Sequence, residues 1–161
     1  MNWEKRTFRG VEYTFDHLRP FTMVVGGLRV RVKPGAHVFC KESQQGDPQD
    51  LKFMDGNTER TFCPVRYGLS QTLGQTIIAA SNGYVYEGKH RKFLLKQSLP
   101  APQGIYLIAF ELWRNKGPHW DVTMQLNSAH NRPHVAKARF VRFSDAVAAV
   151  ANGNNVGWIK K

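Results

Sequence analysis

The sequence contains histidine and arginine residues whose chemistry suits cleavage of RNA without a metal ion. His17 and His37 lie in the first quarter of the chain, and Arg66 and Tyr67 follow at the start of a predicted helix. Such cleavage needs a group that takes a proton from the 2′-hydroxyl and a group that gives one to the leaving oxygen. Histidine titrates near neutral pH, and arginine stabilises the charge that develops on phosphate. We therefore predict that His17 and His37 transfer protons and that Arg66 and Tyr67 hold the phosphate.

Seven other side chains are predicted to contact the substrate. Ser70 follows Arg66 by four residues, which places both on one face of the predicted helix. A helix start that presents arginine, tyrosine and serine could hold a phosphate, and the alternative is a polar face that meets only solvent. The other predicted contacts lie on a polar strand face and on the basic strand that follows it: Gln125, His130, Arg132, Lys137, Arg139 and Arg142.

A zinc site is an alternative use of His37. His37 and Cys40 have the spacing His-x-x-Cys, and Cys63 could add a third ligand of the kind that zinc prefers. The spacing supplies no fourth ligand, so we favour two reduced cysteines and predict neither a metal ion nor another cofactor. Cys63 could also act as a nucleophile at a helix start, but no recognisable motif surrounds it. Metal-dependent nuclease chemistry needs clustered carboxylates, and residues 65–161 contain only four, which are widely separated.

The positive charge of the chain points to a polyanionic ligand. The formal net charge is +11, and residues 65–161 carry thirteen Arg or Lys against four Asp or Glu. Nucleic acid is the commonest partner of such a protein, and we expect RNA rather than DNA. A cognate antitoxin or another acidic protein would suit the same charge. Basic proteins are also often merely soluble, so charge alone does not identify the partner.

Binding without chemistry is a separate hypothesis, because aromatic residues lie between cations in three segments. These segments are RTFRG (6–10), KHRKF (89–93) and ARFVRF (138–143). Bases could stack on the rings while the cations pair with phosphates, which suits single-stranded RNA or DNA. The alternative, which we favour for Phe93, Phe140 and Phe143, is that the rings lie in the core beneath a basic surface.

Hydrophobic periodicity predicts the elements that must position these side chains. Residues 21–32 predict a hairpin in which Gly26 and Gly27 supply the positive φ angles of a two-residue turn. Apolar residues at every fourth position predict one central helix over 64–81. The polar segment 43–58 contains Gly, Pro and Asp, and it predicts a mobile loop.

The second half of the chain predicts a sheet. Segment 105–113 is apolar on both faces, as in a central strand, and segment 119–127 alternates between apolar and polar residues. After a loop that contains both His130 and His134, residues 135–143 predict a further strand. A short C-terminal helix over 145–152 and a loose tail over 154–161 complete the chain.

This order of strands, helix, strands and helix predicts one α+β domain over residues 1–161, built on a mainly antiparallel sheet. No apolar run approaches the roughly 18–20 residues of a membrane span. The N-terminus lacks the apolar segment of a secretory signal. We therefore expect a cytoplasmic protein with no membrane partner.

Several segments carry a family resemblance. They are DHLRPF (16–21), HVF (37–39) and RTFCPVRYGLSQTL (60–73), with a looser match in NSAH (127–130) and FSDAVAAVANG (143–153). These segments resemble a group of small bacterial proteins of unknown activity, some of which are called stationary phase growth adaptation proteins. The resemblance implies a bacterial or prophage setting and brings no established catalytic residues. It marks six positions for testing, namely His17, His37, Cys63, Arg66, Tyr67 and Ser70.

Together these features predict a small bacterial protein that acts on nucleic acid, as a metal-independent ribonuclease of the toxin or defence type. The alternative is a non-catalytic basic module, such as a phage or host inhibitor, that recognises RNA or an acidic protein surface. A small zinc-stabilised adaptor is a third hypothesis.

Overall fold

The computed structural model describes residues 3–160 and has the predicted α+β fold. Twelve strands and three helices occur in this described part of the chain. The helices are α1 Pro64–Ser70, α2 Leu73–Ala80 and α3 Phe143–Ala151. The strands are β1 Arg6–Phe8, β2 Val11–Tyr13, β3 Phe21–Val25, β4 Leu28–Lys33, β5 Cys40–Glu42, β6 Lys52–Asp55, β7 Thr58–Phe62, β8 Tyr84–Glu87, β9 Phe93–Ser98, β10 Ile105–Arg114, β11 Val122–Arg132 and β12 Phe140–Arg142.

Seven strands form the main sheet, in the order β12-β8-β9-β10-β11-β4-β3. Its neighbouring strands are antiparallel except for β11 and β4, which run parallel. The predicted hairpin is confirmed as β3 and β4, and its turn residues Gly26 and Gly27 have φ angles of 58° and 79°. A three-stranded sheet, β5-β7-β6, and the β1-β2 pair complete the fold.

The hydrophobic core lies against β10 and β11, the central strands of the main sheet. Ile108, Phe110, Met124 and Leu126 are all fully buried there. Their burial agrees with the predicted apolar strand over 105–113 and with the predicted alternation in 119–127. Buried residues from all three sheets and from α3 form one hydrophobic cluster.

The predicted single helix over 64–81 is wrong, because two helices, α1 and α2, occupy this segment. The Ser70 hydroxyl donates to the Tyr67 carbonyl at 2.6 Å, and the Gln71 amide donates to the Gly68 carbonyl at 3.3 Å. Such local bonds compete with the regular i to i−4 bonds of a helix, so the helix ends there. A membrane-crossing helix, which would have to be long and apolar, is absent from residues 3–160.

The segment 43–58, predicted as a mobile loop, contains a 3-10 turn at Gln49–Leu51 and the strand β6. β6 pairs with β7 in antiparallel register, and its Phe53 is buried. The Asp47 carboxylate accepts hydrogen bonds from Lys41 Nζ at 2.8 Å and Thr61 Oγ1 at 2.7 Å. The polar composition of this segment therefore gave no sign of β6, which is stabilised by its pairing with β7.

The end of the chain also differs from the predictions. The tail predicted as loose is held to β12, because the backbones of Ile159 and Phe140 exchange hydrogen bonds of 2.8 and 3.0 Å. Trp158 packs on Phe93 with ring centroids 5.5 Å apart. Lys161 lies outside the described residues. α3 begins at Phe143, two residues before the predicted 145–152 helix, and only Phe140–Arg142 of the predicted strand over 135–143 forms β12.

Candidate functional site

His37 lies on the wall of a cavity of about 350 Å³ between the main sheet and the β5-β7-β6 sheet. Gln125, the other predicted site residue in this cavity, faces it from β11. Both polar and apolar side chains surround the space. The lining residues are Trp3, Pro20, Lys33, Pro34, Gly35, Ala36, His37, Asp55, Arg60, Gln125, Leu126 and Asn127.

The turn that carries His37 is held tightly against β11. His37 sits in the 3-10 turn Ala36–Val38, immediately after Gly35. A Cβ atom at Gly35 would lie 2.6 Å from the Leu126 carbonyl oxygen, so only glycine allows this close approach. Gln125 Nε2 donates to the Lys33 carbonyl at 3.0 Å and so gives the same segment a second contact with β11.

Arg60 of β7 orients the His37 ring. Its Nη1 donates to His37 Nε2, and its Nε donates to Asp55 Oδ2 at 3.1 Å. Burial, followed by the guanidinium groups of Arg60 and Arg66, lowers the pKa of His37. The imidazole is therefore neutral near pH 7, and its Nε2 already accepts a hydrogen bond from Arg60.

Arg66 stabilises the backbone beside His37. Its Nη1 donates to the carbonyls of His37 at 3.2 Å and Cys40 at 2.7 Å. The Cys40 thiol donates to the Ala36 carbonyl at 3.0 Å, and burial raises the pKa of Cys40 to about 12. In residues 3–160, no three His, Cys, Asp or Glu side chains are grouped so that they could hold a metal ion.

His17 belongs to a different group of side chains, which includes Tyr67 and Ser70 of α1. His17 Nε2 hydrogen-bonds to Ser70 Oγ at 2.9 Å, and the Tyr67 hydroxyl donates to the Thr14 carbonyl at 2.8 Å. Ser70 is only 1% exposed. Burial lowers the pKa of His17, and Asp16 opposes this shift. His17 does not line the His37 cavity, so the structure does not bring the two predicted proton-transfer residues into one cleft.

His130 lies near the end of β11, in the segment that was predicted as a loop. Arg132 Nε donates to His130 Nε2 at 3.0 Å, and His130 Nδ1 is buried without a hydrogen-bond partner in the described chain. Burial, followed by the positive charges of Arg66 and Arg132, lowers the pKa of His130 to about 4. His130 is therefore neutral at physiological pH, and its ring does not add a positive charge for phosphate binding.

The low pKa of His130 predicts a loss of stability in mild acid. An unfolded histidine has a pKa of about 6.5, so between about pH 6.5 and pH 4 the unfolded chain binds a proton that the native state does not. The free energy of unfolding should therefore fall as the pH decreases through this window. We expect a smaller fall in His130→Gln, measured by urea unfolding at about pH 7 and about pH 5. Equal falls in both proteins would contradict this assignment.

Lys137, Arg139 and Arg142 lie at the opposite edge of the main sheet, around β8 and β12. Arg139 forms a two-bond ion pair with Glu87, which lowers the pKa of that carboxyl. Arg142 stands opposite Tyr84 in the β12–β8 register, and its guanidinium lies 5.7 Å from the Tyr84 ring centroid. Lys137 is exposed nearby.

The same edge presents a group of aromatic side chains. Val85 and Val141 point into the core, so the residues on either side of them face outward. We call these outward residues the aromatic face: Tyr84, Tyr86, Phe140 and Arg142. The structure places Phe93 and Phe143 in the core, as the favoured interpretation predicts, whereas Phe140 is half-buried on this face.

Sequence reasoning missed several residues of both regions. Tyr84 and Tyr86 alternate in YVYE (84–87), a strand pattern that could have revealed them. Arg60 and Asp55 carry no such signal, because their relation to His37 depends on the pairing of β6 with β7 and on the packing of that sheet.

The pattern of the whole chain identifies its family. The model of the YjaZ family matches residues 5–151. No curated protein and no solved structure matches the chain. Because the family match covers most of the sequence, including His37 and the aromatic face, the chain belongs to the YjaZ family.

Proposed function

We propose that this protein binds single-stranded RNA on the aromatic face and does not cleave it. The observation that carries the proposal is the register of β12 and β8, which pairs Phe140 with Tyr86 and Arg142 with Tyr84 on one outward surface. Rings next to cations on a sheet surface can stack on bases and pair with phosphates. We expect this binding in the cytoplasm.

Tyr84 presents the accessible ring of this face, whereas Tyr86 and Phe140 are half-buried beside it. Tyr84 is 45% exposed and contacts Phe140 edge-on, with ring centroids 5.4 Å apart. Lys96 of the neighbouring β9 lies with its Nζ 4.0 Å from the Tyr86 ring centroid. Each base that stacks on such a ring contributes about 1–3 kcal/mol, with little dependence on base identity. The surface therefore suits single strands, whose bases are unstacked and accessible.

The charge around the face suits phosphates. Within residues 3–160, eight acidic side chains form ion pairs with cations of the same region, including Glu87 with Arg139 and Asp121 with Arg29. Four exposed cations around β8 and β12 form no ion pair within residues 3–160. These exposed cations are Lys89, Arg91, Lys137 and Arg142. Because phosphate binding releases counterions, we expect affinity to fall as salt rises.

The geometry gives less support to the ribonuclease hypothesis. Cleavage without a metal needs two proton-transfer groups near one phosphate. His37 and His17 lie in separate hydrogen-bond networks, and the Nε2 atom of each already has a partner. An acidic protein, such as a cognate antitoxin, could contact the same cations, but charge complementarity alone does not require the exposed Tyr84 ring.

The proposal predicts that loss of one ring weakens RNA binding. A short labelled uridine-rich RNA would be titrated with protein and followed by fluorescence anisotropy. We expect Tyr84→Ala to raise the dissociation constant about 5- to 150-fold, which corresponds to about 1–3 kcal/mol of stacking. Arg142→Gln should weaken binding and reduce its salt dependence by about one phosphate contact.

Two matched controls keep the test specific. Tyr84→Phe retains the ring and should bind nearly as well as the native protein. Lys116→Gln removes an exposed cation in the loop between β10 and β11, away from the aromatic face. If Tyr84→Ala and Arg142→Gln bind like these controls, the aromatic face is not the RNA site.

Cleavage is measured with the same RNA, with and without EDTA. We expect the RNA to stay intact in both conditions. Cleavage that persists in EDTA and disappears in His37→Ala would reject the binding-only proposal in favour of the metal-independent ribonuclease.

A further inference from the structure

We infer that the cavity beside His37 binds a small organic anion through a phosphate or carboxylate group. None of the residues that line this cavity belongs to β8, β9 or β12. The cavity is bordered instead by β4 and β11, which are separated from the aromatic face by other strands of the sheet. The inference is therefore independent of the proposed RNA site.

The charges on the cavity wall favour an anion. Lys33 and Arg60 contribute two positive charges, and Asp55 is the one carboxylate among the lining residues. Asp55 already accepts a hydrogen bond from Arg60, whose side chain is only 17% exposed. The Lys33 ammonium has no hydrogen-bond or ion-pair partner within residues 3–160, and it is exposed at the cavity. Because Asp55 balances the charge of Arg60, the Lys33 ammonium is the positive charge left over at the cavity, and an oxyanion would supply the acceptor that it lacks.

Arg60, His37 and Gln125 are held in place before a ligand arrives. The Arg60 guanidinium is fixed between Asp55 and His37, and the turn containing His37 is fixed against β11 by the close contact of Gly35. Gln125 is oriented by its bond to the Lys33 carbonyl. Such a site loses little side-chain entropy on binding, and an arginine fork presents several donors to one oxyanion.

The rest of the lining indicates an organic molecule rather than a bare ion. Trp3, Pro20, Pro34 and Leu126 add apolar surface beside the cations. A volume of about 350 Å³ lies at the lower end of the roughly 300–1,000 Å³ range of small-molecule sites. The ligand class is thus a compact acid with an apolar or planar part, carrying one phosphate or carboxylate.

The test uses three probes on the full-length protein: inorganic phosphate, uridine monophosphate and benzoate. Binding is measured by isothermal titration calorimetry. The site is located by NMR shifts of the Gly35 amide and the Trp3 indole signals. We expect at least one organic probe to bind more tightly than inorganic phosphate and to shift both signals. Tighter binding by uridine monophosphate identifies a phosphate ligand, and tighter binding by benzoate identifies a carboxylate ligand.

Two variants connect this binding to the cavity. Lys33→Gln should raise the dissociation constant of the organic probe about tenfold or more. The substitution removes a charged hydrogen bond of roughly 1.5–3 kcal/mol. Lys33 is exposed, so this change leaves the core intact, and Lys116→Gln serves as the matched control. Tyr84→Ala should leave probe binding unchanged even where it abolishes RNA binding.

Three results would overturn the inference. They are an absence of binding by every probe at millimolar concentration, equal binding by Lys33→Gln and the native protein, and loss of probe binding in Tyr84→Ala. The last result would place the probe on the aromatic face. Failure of the RNA proposal alone would leave the probe results unchanged, so the two failures are distinguishable.

Discussion

Replacement of Phe110 by alanine is expected to lower the free energy of unfolding by about 3–5 kcal/mol. Phe110 is fully buried in the middle of β10. Its ring stacks on Phe93 and on Phe143, with centroids 5.5 and 5.7 Å away. The substitution would remove the ring between the sheet and α3 and leave a cavity that the surrounding strands cannot close.

Urea unfolding followed by circular dichroism measures this loss. Trp113→Ala on the same strand is the control, because Trp113 is 51% exposed and its removal leaves no internal cavity. We expect the control to change the free energy of unfolding by less than about 1 kcal/mol. Phe110→Leu retains most of the buried volume and should give an intermediate loss if Phe110→Ala does not fold. A Phe110→Ala protein as stable as the control would contradict the position of Phe110 in the core.

Replacement of Arg66 by methionine is expected to cost about 2–4 kcal/mol of stability. Its guanidinium donates to the carbonyls of His37 and Cys40, and a buried carbonyl left unpaired costs roughly 1–3 kcal/mol. Methionine fills much of the space of the aliphatic stem, so the main change is the loss of these two hydrogen bonds.

This variant separates a structural role of Arg66 from a role in phosphate binding. Urea unfolding and RNA binding are measured on the same preparation. Arg19→Met is the matched control, because the Arg19 ion pair with Asp16 is exposed and contributes little. We expect reduced stability with RNA affinity close to native. Native stability together with weakened RNA binding would instead support the predicted phosphate contact at Arg66.

The two arginines near His37 illustrate why some site predictions hold and others change. Arg66 was selected because it lies at a helix start beside Tyr67 and Ser70. In the folded chain all three side chains form bonds within the protein: Arg66 to two carbonyls, Tyr67 to Thr14, and Ser70 to Tyr67. Arg60 was not selected, yet it contacts the His37 ring directly. Sequence spacing indicates which residues share a local face, but it does not reveal which backbone groups need a donor.

Local periodicity is sufficient to predict the strands that pack against the hydrophobic core. The β3–β4 hairpin follows from two glycines between alternating segments, and β10 and β11 follow from their apolar patterns. These features depend on neighbours within a few residues, so the sequence contains the necessary information. The net charge of +11 is likewise a property of composition alone.

Hydrogen-bond partners that hydrophobic periodicity does not reveal determine the other elements. β6 is a strand because β7 pairs with it, and the residues of the tail are held because Ile159 pairs with Phe140. The helix over 64–81 divides because side-chain hydroxyls compete for its carbonyls. In each case the deciding partner is either distant along the chain or invisible to hydrophobic periodicity.

The amino-acid sequence by itself therefore determined the α+β class, the main hairpin, the central strands and the basic character that suggests a polyanionic ligand. Only the tertiary structure separated His17 from His37, joined Arg60 to His37, and aligned Tyr84 and Tyr86 with Phe140 and Arg142. The physical reason is that periodicity and charge are local or additive properties, whereas a site requires side chains from distant segments to meet with defined orientation.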